Sequence, residues 1–384
     1  MLIYDQIIES TNINTTIYNG FNYNETFFLD IETTGLSPKN SLIYLIGILY
    51  FDKEWHLKQW FLDNAGDEEN MLKDFTSFLT KSNLKNVIHF NGTTFDCKFI
   101  DDHCKIYGID FSFAYINQID LYKIFNKYKN ILSLDSLKQK SIEFAYGINR
   151  NDKLSGKELI SKYKEYLLNK KAGNAEQLLL HNFEDIINLP VLSSICSLDD
   201  LYNNKYSIKD LEIAEGSKKA KIILTIKNIL PKFFKGNDYF NITPASNKDI
   251  SINSKIKNSD EDMEINYNLT FGNIEETSLK FFYKDYKNYF YLPNEDMAIH
   301  KSMAAFMDKD KKVKATKDNC YTKIKDSFIS IPDKPTLSKK YTTDDNSFFE
   351  DIKIFKDDNN KSYIRLSELN NKKFLFSFIN YILK

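Results

Sequence analysis

The stretch LDIETTGL, residues 29–36, decides how the amino-terminal half is read. Asp30 and Glu32 alternate with Leu29 and Ile31, so on a strand the carboxylates leave one face and the apolar side chains the other. Two acids on one face repel, and if the face is turned inward their charge has to be offset by cations. Divalent metal ions, which prefer hard oxygen donors, do this well. A solvated edge strand with two exposed acids is the plainer alternative. The apolar flanks and the Thr33, Thr34 and Gly35 that follow weigh against it.

Around this stretch the apolar pattern predicts three successive strands, FFLDI from Phe27, LIYLIGILY at 42–50 and WHLKQWF at 55–61, an antiparallel start. DEENMLKDFTSFLTK then puts Met71, Leu72, Phe75, Phe78 and Leu79 on one helical stripe, with Asp67 as a candidate cap. The strand NVIHF at 86–90 follows, and a strand after a helix implies a crossover. Helical periodicity recurs near 94–107, 118–127, 135–146, 155–170 and 173–200. The expected fold class is therefore α/β, an RNase H-like mixed sheet flanked by helices. Beyond residue 205 the apolar runs shorten and alternate, as in KIILTI, SLKFFY and NYFYL, which predicts a second, β-rich (α+β) domain. The expected division is 1–204 and 205–384, with the polar stretch 243–266 as a loop or linker.

Bulk properties exclude some classes of function. At 384 residues with 42% hydrophobic and 27% charged side chains, the chain has globular composition and is long enough for two cores. A net charge of -1 excludes a protein that coats nucleic acid with its whole surface but leaves room for a local basic patch. The thirty Phe and twenty-four Tyr, beside many Lys, Asn and Ile, are read first as a mark of AT-rich coding. No leader pattern or long apolar run is present, so a soluble cytoplasmic protein without a membrane partner is expected. Cys97, Cys104, Cys196 and Cys320 lack CxxC spacing and are expected as free thiols; Cys97, His103 and Cys104 fit an amphipathic helix better than a zinc site.

Two further segments carry acids. VIHFNGTTFD at 87–96 is a buried strand turning into a helix whose first turn holds Asp96. Alone, Asp96 reads as a complement to the helix dipole. HNFEDIINL places His181 and Asp185 four residues apart on one helical face, which alone is an ordinary helix contact. The ordered combination is far more specific than its parts.

LDIETTGL, HFNGTTFD and HNFEDIINL, with IDLY at 119–122 between them, resemble the bacterial YprB-like RNase H-like nucleases over residues 25–200. YLPNEDMAIHKSMAAFMDK with the following NCYTK is similar to a region that accompanies such domains in clostridial-type proteins. The resemblance implies a DEDD-type 3′ to 5′ exonuclease that uses two Mg²⁺ or Mn²⁺ ions on the 3′ ends of DNA or RNA. It implies Asp30 as the ligand shared by both ions, Glu32 and Asp185 on the water-activating ion, and Asp96 on the other. His181 would orient or deprotonate the attacking water. It stands at the four-residue spacing of the tyrosine class, not the five of the histidine class, and Asn182 is the alternative. Thr33, Thr34 and Gly35 would cradle the terminal nucleotide, and Asn91 would brace the turn that presents Asp96. Asp120 is either a supporting acid or a helix cap. The competing reading of the domain is a catalytically silent module that binds nucleic acid or protein. FFYKDYKNYFY at 281–291 reads first as a buried strand pair with solvated lysines and second as an aromatic, basic surface.

Overall fold

A computed structural model describes residues 1–9, 13, 18, 20–213, 217–245, 264–332 and 353–383. Two compact units emerge, one built chiefly on Met1–Asn203 with Ile226–Phe234, the other on Asn204–Thr225, Lys235–Ala245 and Asn266–Lys384.

The first unit is a six-stranded mixed sheet. Its strands are β1 (Leu2–Ile8), β2 (Thr26–Thr33), β3 (Ile43–Asp52), β4 (Glu54–Phe61), β5 (Asn86–His89) and β6 (Asn117–Asp120), in the order β1-β4-β3-β2-β5-β6. β2, β3 and β4 form the antiparallel start the alternation predicts. β5 then joins β2, and β6 joins β5, both in parallel. The crossovers pass through α1 (Glu68–Lys81) and α2 (Asp96–Ile106). α3 (Leu121–Tyr128), α4 (Gln139–Ala145), α5 (Gly156–Asn169) and α6 (Ala172–Ile187) follow. The expected α/β class, a mixed sheet flanked by helices with further β-rich sheets in the carboxyl-terminal region, is the observed one.

The apolar stripe of α1 works as its spacing requires: Met71, Leu72, Phe75 and Leu79 are buried in the core that also holds Phe27, Leu29, Ile46 and Ile48. At 25 cal/mol per Å², each such side chain contributes roughly 1.5–3 kcal/mol. Asp67 occupies the cap position of α1 but makes no capping bond. Its carboxylate faces the Met1 amino group instead. Cys97 and Cys104 on α2 are buried, as are Cys196 and Cys320 elsewhere, and none of the four is in a disulfide.

Several boundaries differ from the periodic reading. β1 pairs along its length with β4 although LIYDQII is almost wholly exposed, and an exposed strand gives no burial alternation to detect. The helix read at 118–127 is preceded by β6, whose four residues are too few for a period. The helix read at 173–200 is divided into α6, α7 (Leu189–Leu192) and α8 (Ile195–Tyr202), because Pro190 cannot donate a backbone bond to the turn before it.

In the second unit, β7 (Ser207–Ile213), β8 (Lys219–Ile226), β9 (Phe240–Pro244) and β10 (Ile265–Gly272) form one sheet in the order β7-β8-β10-β9. β11 (Ile274–Phe282), β15 (Tyr321–Ile331), β16 (Phe355–Lys356) and β17 (Ser362–Arg365) close a small barrel. β12 (Tyr289–Leu292), β13 (Met297–His300) and β14 (Val313–Lys314) form a three-stranded sheet with β12 central. Most of the polar stretch read at 243–266 lies outside the described residues. Among the described residues no helix is long and apolar enough to cross a membrane.

Candidate metal centre

Asp30 and Glu32 sit near the carboxyl end of β2, the strand between antiparallel β3 and parallel β5. Both project from one face, as alternation demands. Asp96 begins α2, and its Oδ1 accepts a 3.0 Å hydrogen bond from the backbone N–H of Ile31. The carboxylate therefore reaches across to the strand rather than capping its own helix. Asn91 adopts a positive φ of 65° in the turn before α2. Its N–H donates to Asp120 Oδ1 at 2.9 Å, and its side chain accepts from Thr94 Oγ1 at 2.9 Å. Asp120 stands at the N-cap position of α3 but makes no side-chain capping bond there.

α6 delivers His181, Asn182 and Asp185. Asn182 is fully buried, and its Nδ2 donates both to Asp30 Oδ2 at 2.9 Å and to the Asp30 carbonyl at 3.1 Å. Its Oδ1 in turn accepts from Gln59 Nε2 at 2.8 Å. The helix comes this close because the residue paired with Asp30 on β3 is Gly47. A Cβ there would lie 2.1 Å from Asn182 Oδ1 and 2.4 Å from Ile186 Cδ1. Gly47→Ala is accordingly expected to cost about 1–3 kcal/mol by overpacking. Urea unfolding would measure that cost, and an unchanged midpoint would refute the close approach.

His181 lies between acids on both sides. Nδ1 donates to Asp152 Oδ2 at 2.6 Å, while Nε2 faces Asp185 Oδ2 at 3.0 Å and Glu32 Oε1 at 3.4 Å. Glu32, His181 and Asp185 each offer a ligand atom within 4.8 Å of the others. Asp185 is also held by Arg150, whose Nη2 donates to its Oδ1 at 2.6 Å. The same guanidinium grips Glu143 through Nε and Nη2. Lys140 completes the surround by donating to Asp152 Oδ2 at 2.7 Å.

The electrostatics follow from this crowding. Burial, then the charges of Asp185, Asp96 and Glu32, push Asp30 well above the usual carboxylate range. Burial likewise raises Glu32 to about 8, against the opposing pull of His181, and Asp96 to about 7. Asp185 is the exception. Burial would raise it, but the hydrogen bond from His181 and the charge of Arg150 together hold it below its ordinary value. Burial would lower His181, yet its contacts with Asp185, Glu32 and Asp152 lift it to about 9. The cluster thus favours the ionised form of Asp185, beside two cations, and the neutral form of the other three carboxyls.

Thr33 ends β2, and Thr34 and Gly35 open the loop after it, next to the acids in sequence. Thr33 Oγ1 donates to the Gly35 carbonyl at 2.8 Å, and Thr34 Oγ1 accepts from Leu42 N at 2.9 Å, so both hydroxyls shape the loop. A buried pair anchors its far end: Glu68 Oε1 accepts from Ile43 N at 2.6 Å, and His103 Nε2 donates to the Pro38 carbonyl at 2.8 Å.

The sequence reading missed Arg150, Asp152, Glu143 and Lys140. A signal for one of them was present, because the chain uses Arg only twice, at 150 and 365, in a composition otherwise dominated by Lys. A guanidinium can bridge two buried carboxylates with its fixed fork, which an ammonium does poorly.

Residues 27–196 match the profile of RNase_H_2, described as RNase_H superfamily. The sheet order and this match define the amino-terminal fold as RNase H-like. Comparison with curated proteins gives no match. Among solved structures, the chain is similar to the family B DNA polymerase from the hyperthermophilic archaeon Pyrobaculum calidifontis, at 12% identity and a TM-score of 0.36, over 46% of this chain and 24% of that one. It is also similar to exonuclease I, at 12% identity and a TM-score of 0.33, over 52% of this chain and 55% of that one. The chain therefore spans about a quarter and about half of the lengths of these structures.

Proposed function

We propose that residues 1–204 form a metal-dependent 3′ to 5′ exonuclease of the DEDD type, akin to the YprB-like bacterial, clostridial-type nucleases and working in the cytoplasm. Residues 205–384 are its accessory domain. The observation that carries this reading is the convergence of four acids from β2, α2 and α6, with Asp30 clamped by Asn182 and the ligand atoms of Glu32, His181 and Asp185 within 4.8 Å. The donors fit the group: they are hard oxygens, and three of the four carboxyls are pushed up, by burial first and then by neighbouring acids, a state that a cation would reverse.

Asp30, Glu32, Asp96 and Asp185 would hold two Mg²⁺ or Mn²⁺ ions. Such a pair supplies an activated water and charge stabilisation of the leaving oxygen. Asp30 would be the ligand common to both, and Asn182 holds its carboxylate through a 2.9 Å hydrogen bond. His181, held through Nδ1 by Asp152, would present Nε2 to the water as its base if Glu32 and Asp185 were engaged by the metal. Thr33, Thr34, Gly35 and Asn91 border the terminal nucleotide at the ends of the two strands.

A second reading has one observation in its favour. Arg150 and His181 already neutralise Asp185, as they would in a silent binding module.

Both readings meet in one experiment. The purified chain is incubated with 5′-labelled single-stranded DNA and RNA in Mn²⁺ and then in EDTA. The expected result is stepwise shortening from the 3′ end that EDTA abolishes; intact substrates in every condition would favour the silent module. The same metal is expected to raise Tm, and Asp30→Ala to remove most of the increment. Equal shifts in both proteins would locate the ions elsewhere.

A further inference from the structure

The segment 280–325 differs in charge from the rest of the chain. It contains eleven Lys, no Arg and six Asp or Glu, a net +5 in a protein whose total is -1. FFYKDYKNYFY lies within it, and the first reading of that stretch as a buried strand pair does not hold: each of its rings is half-buried. The reason lies in what is underneath. The buried residues there are Ala298, Ala315 and Cys320, all small, and Tyr283, Tyr286, Tyr289 and Tyr291 crowd over them without being covered. Tyr283 and Tyr289 stack at 4.4 Å. On the other face of β12, Phe290 is paired with Lys314 of β14, and Lys312 Nζ lies 5.5 Å over its ring.

Some lysines in the segment are committed, Lys280 to Asp358, Lys311 to Asp308 and Lys323 to Asp296. Lys284, Lys287 and Lys314 are exposed and form no ion pair among the described residues. Phe306, 93% exposed, adds an uncovered ring. Lysines free to meet phosphates, interleaved with rings on which bases can stack, are what binding of single strands without sequence preference requires.

We infer that the surface formed by β12, its flanking turns and β14 is a single-stranded nucleic-acid binding site, distinct from the acid cluster. The inference rests on the nuclease reading only for the biological sense of the ligand. An acidic protein would also be drawn to the lysines, but it would make no use of half-exposed tyrosines.

The test uses the full chain carrying Asp30→Asn in EDTA, so that binding is read without cleavage. Affinity for fluorescein-labelled dT30 is measured by anisotropy between 50 and 200 mM salt, conditions over which about 0.7 of slope is expected per phosphate contact. Lys284→Ala, Lys287→Ala and Lys314→Ala together are expected to weaken dT30 at least tenfold and to reduce the log-log salt slope by about 2. Tyr286→Ala is expected to weaken dT30 without changing that slope. In the Asp30 parent, the three lysine changes leave cleavage of a trinucleotide unaltered. Unchanged dT30 affinity in the triple variant overturns the proposal, as does equal binding of poly-L-glutamate. A chain that binds dT30 as described but cleaves nothing would instead refute the nuclease reading and leave this surface standing.

Discussion

Asp30→Ala and Asp185→Ala are each expected to abolish cleavage, yet to move stability in opposite directions when no metal is present. Asp30 is a buried carboxyl surrounded by other acids and pushed well above its usual range, so its removal relieves repulsion. The fold should be unchanged or slightly firmer, since Asn182 keeps its bond to the Asp30 carbonyl. Asp185 is bonded to Arg150 and His181, both nearly buried. Deleting it removes one carboxylate from each of two cations, but Arg150 keeps Glu143 and His181 keeps Asp152, so the expected loss is about 1–3 kcal/mol. Asp185 has a depressed folded-state value, so its contribution is present above the unfolded value and fades as pH falls through the folded one. Urea melts of both variants in EDTA, beside a labelled-strand assay in Mn²⁺, check the pair. Equal stability changes would sink the electrostatic account, and a wild-type rate in either variant would sink the ligand assignment.

The second large effect concerns His181. Replacing it with Ala is expected to slow turnover by roughly 10²- to 10⁴-fold. Metal affinity, followed by calorimetry, should be nearly unchanged if the ring touches water rather than the ions. Its geometry sharpens the expectation, because Asp152 fixes Nδ1 and leaves only Nε2 directed at Glu32 and Asp185. His181→Tyr tests the four-residue spacing and should restore part of the lost rate. Asp152→Asn separates positioning from contact: it should lower kcat and shift the pH profile while leaving KM in place. Undiminished activity in His181→Ala would remove the residue from the mechanism.

The parts of the fold legible in the sequence were those where burial imposes a period. The strands of the antiparallel start and the stripe of α1 alternate or recur because one side faces the core. β1 was illegible because its face is exposed, and β6 because it is short. The candidate ligands were legible by residue type and order, since Asp-x-Glu on a strand and Asp on later elements survive as text. Their support was not. Arg150 and Asp152 lie in an irregular loop between α4 and α5, and nothing local says that this loop folds back onto Asp185 and His181. Asn182 was visible only as an alternative to its neighbour, although it is the residue that ties α6 to Asp30.

That tie has a dynamic consequence. Asn182 joins α6 to β2 and, through Gln59, to β4, while Asp96 bonds the Ile31 amide from α2. Loops and lids can usually open by themselves at little cost in free energy, but elements at the centre of a sheet open only when the whole unit does. The acid cluster belongs to the second kind. Its carboxyls cannot relieve their mutual repulsion by moving apart, so they relieve it by holding protons, and any cation would have to displace those protons within a geometry already set.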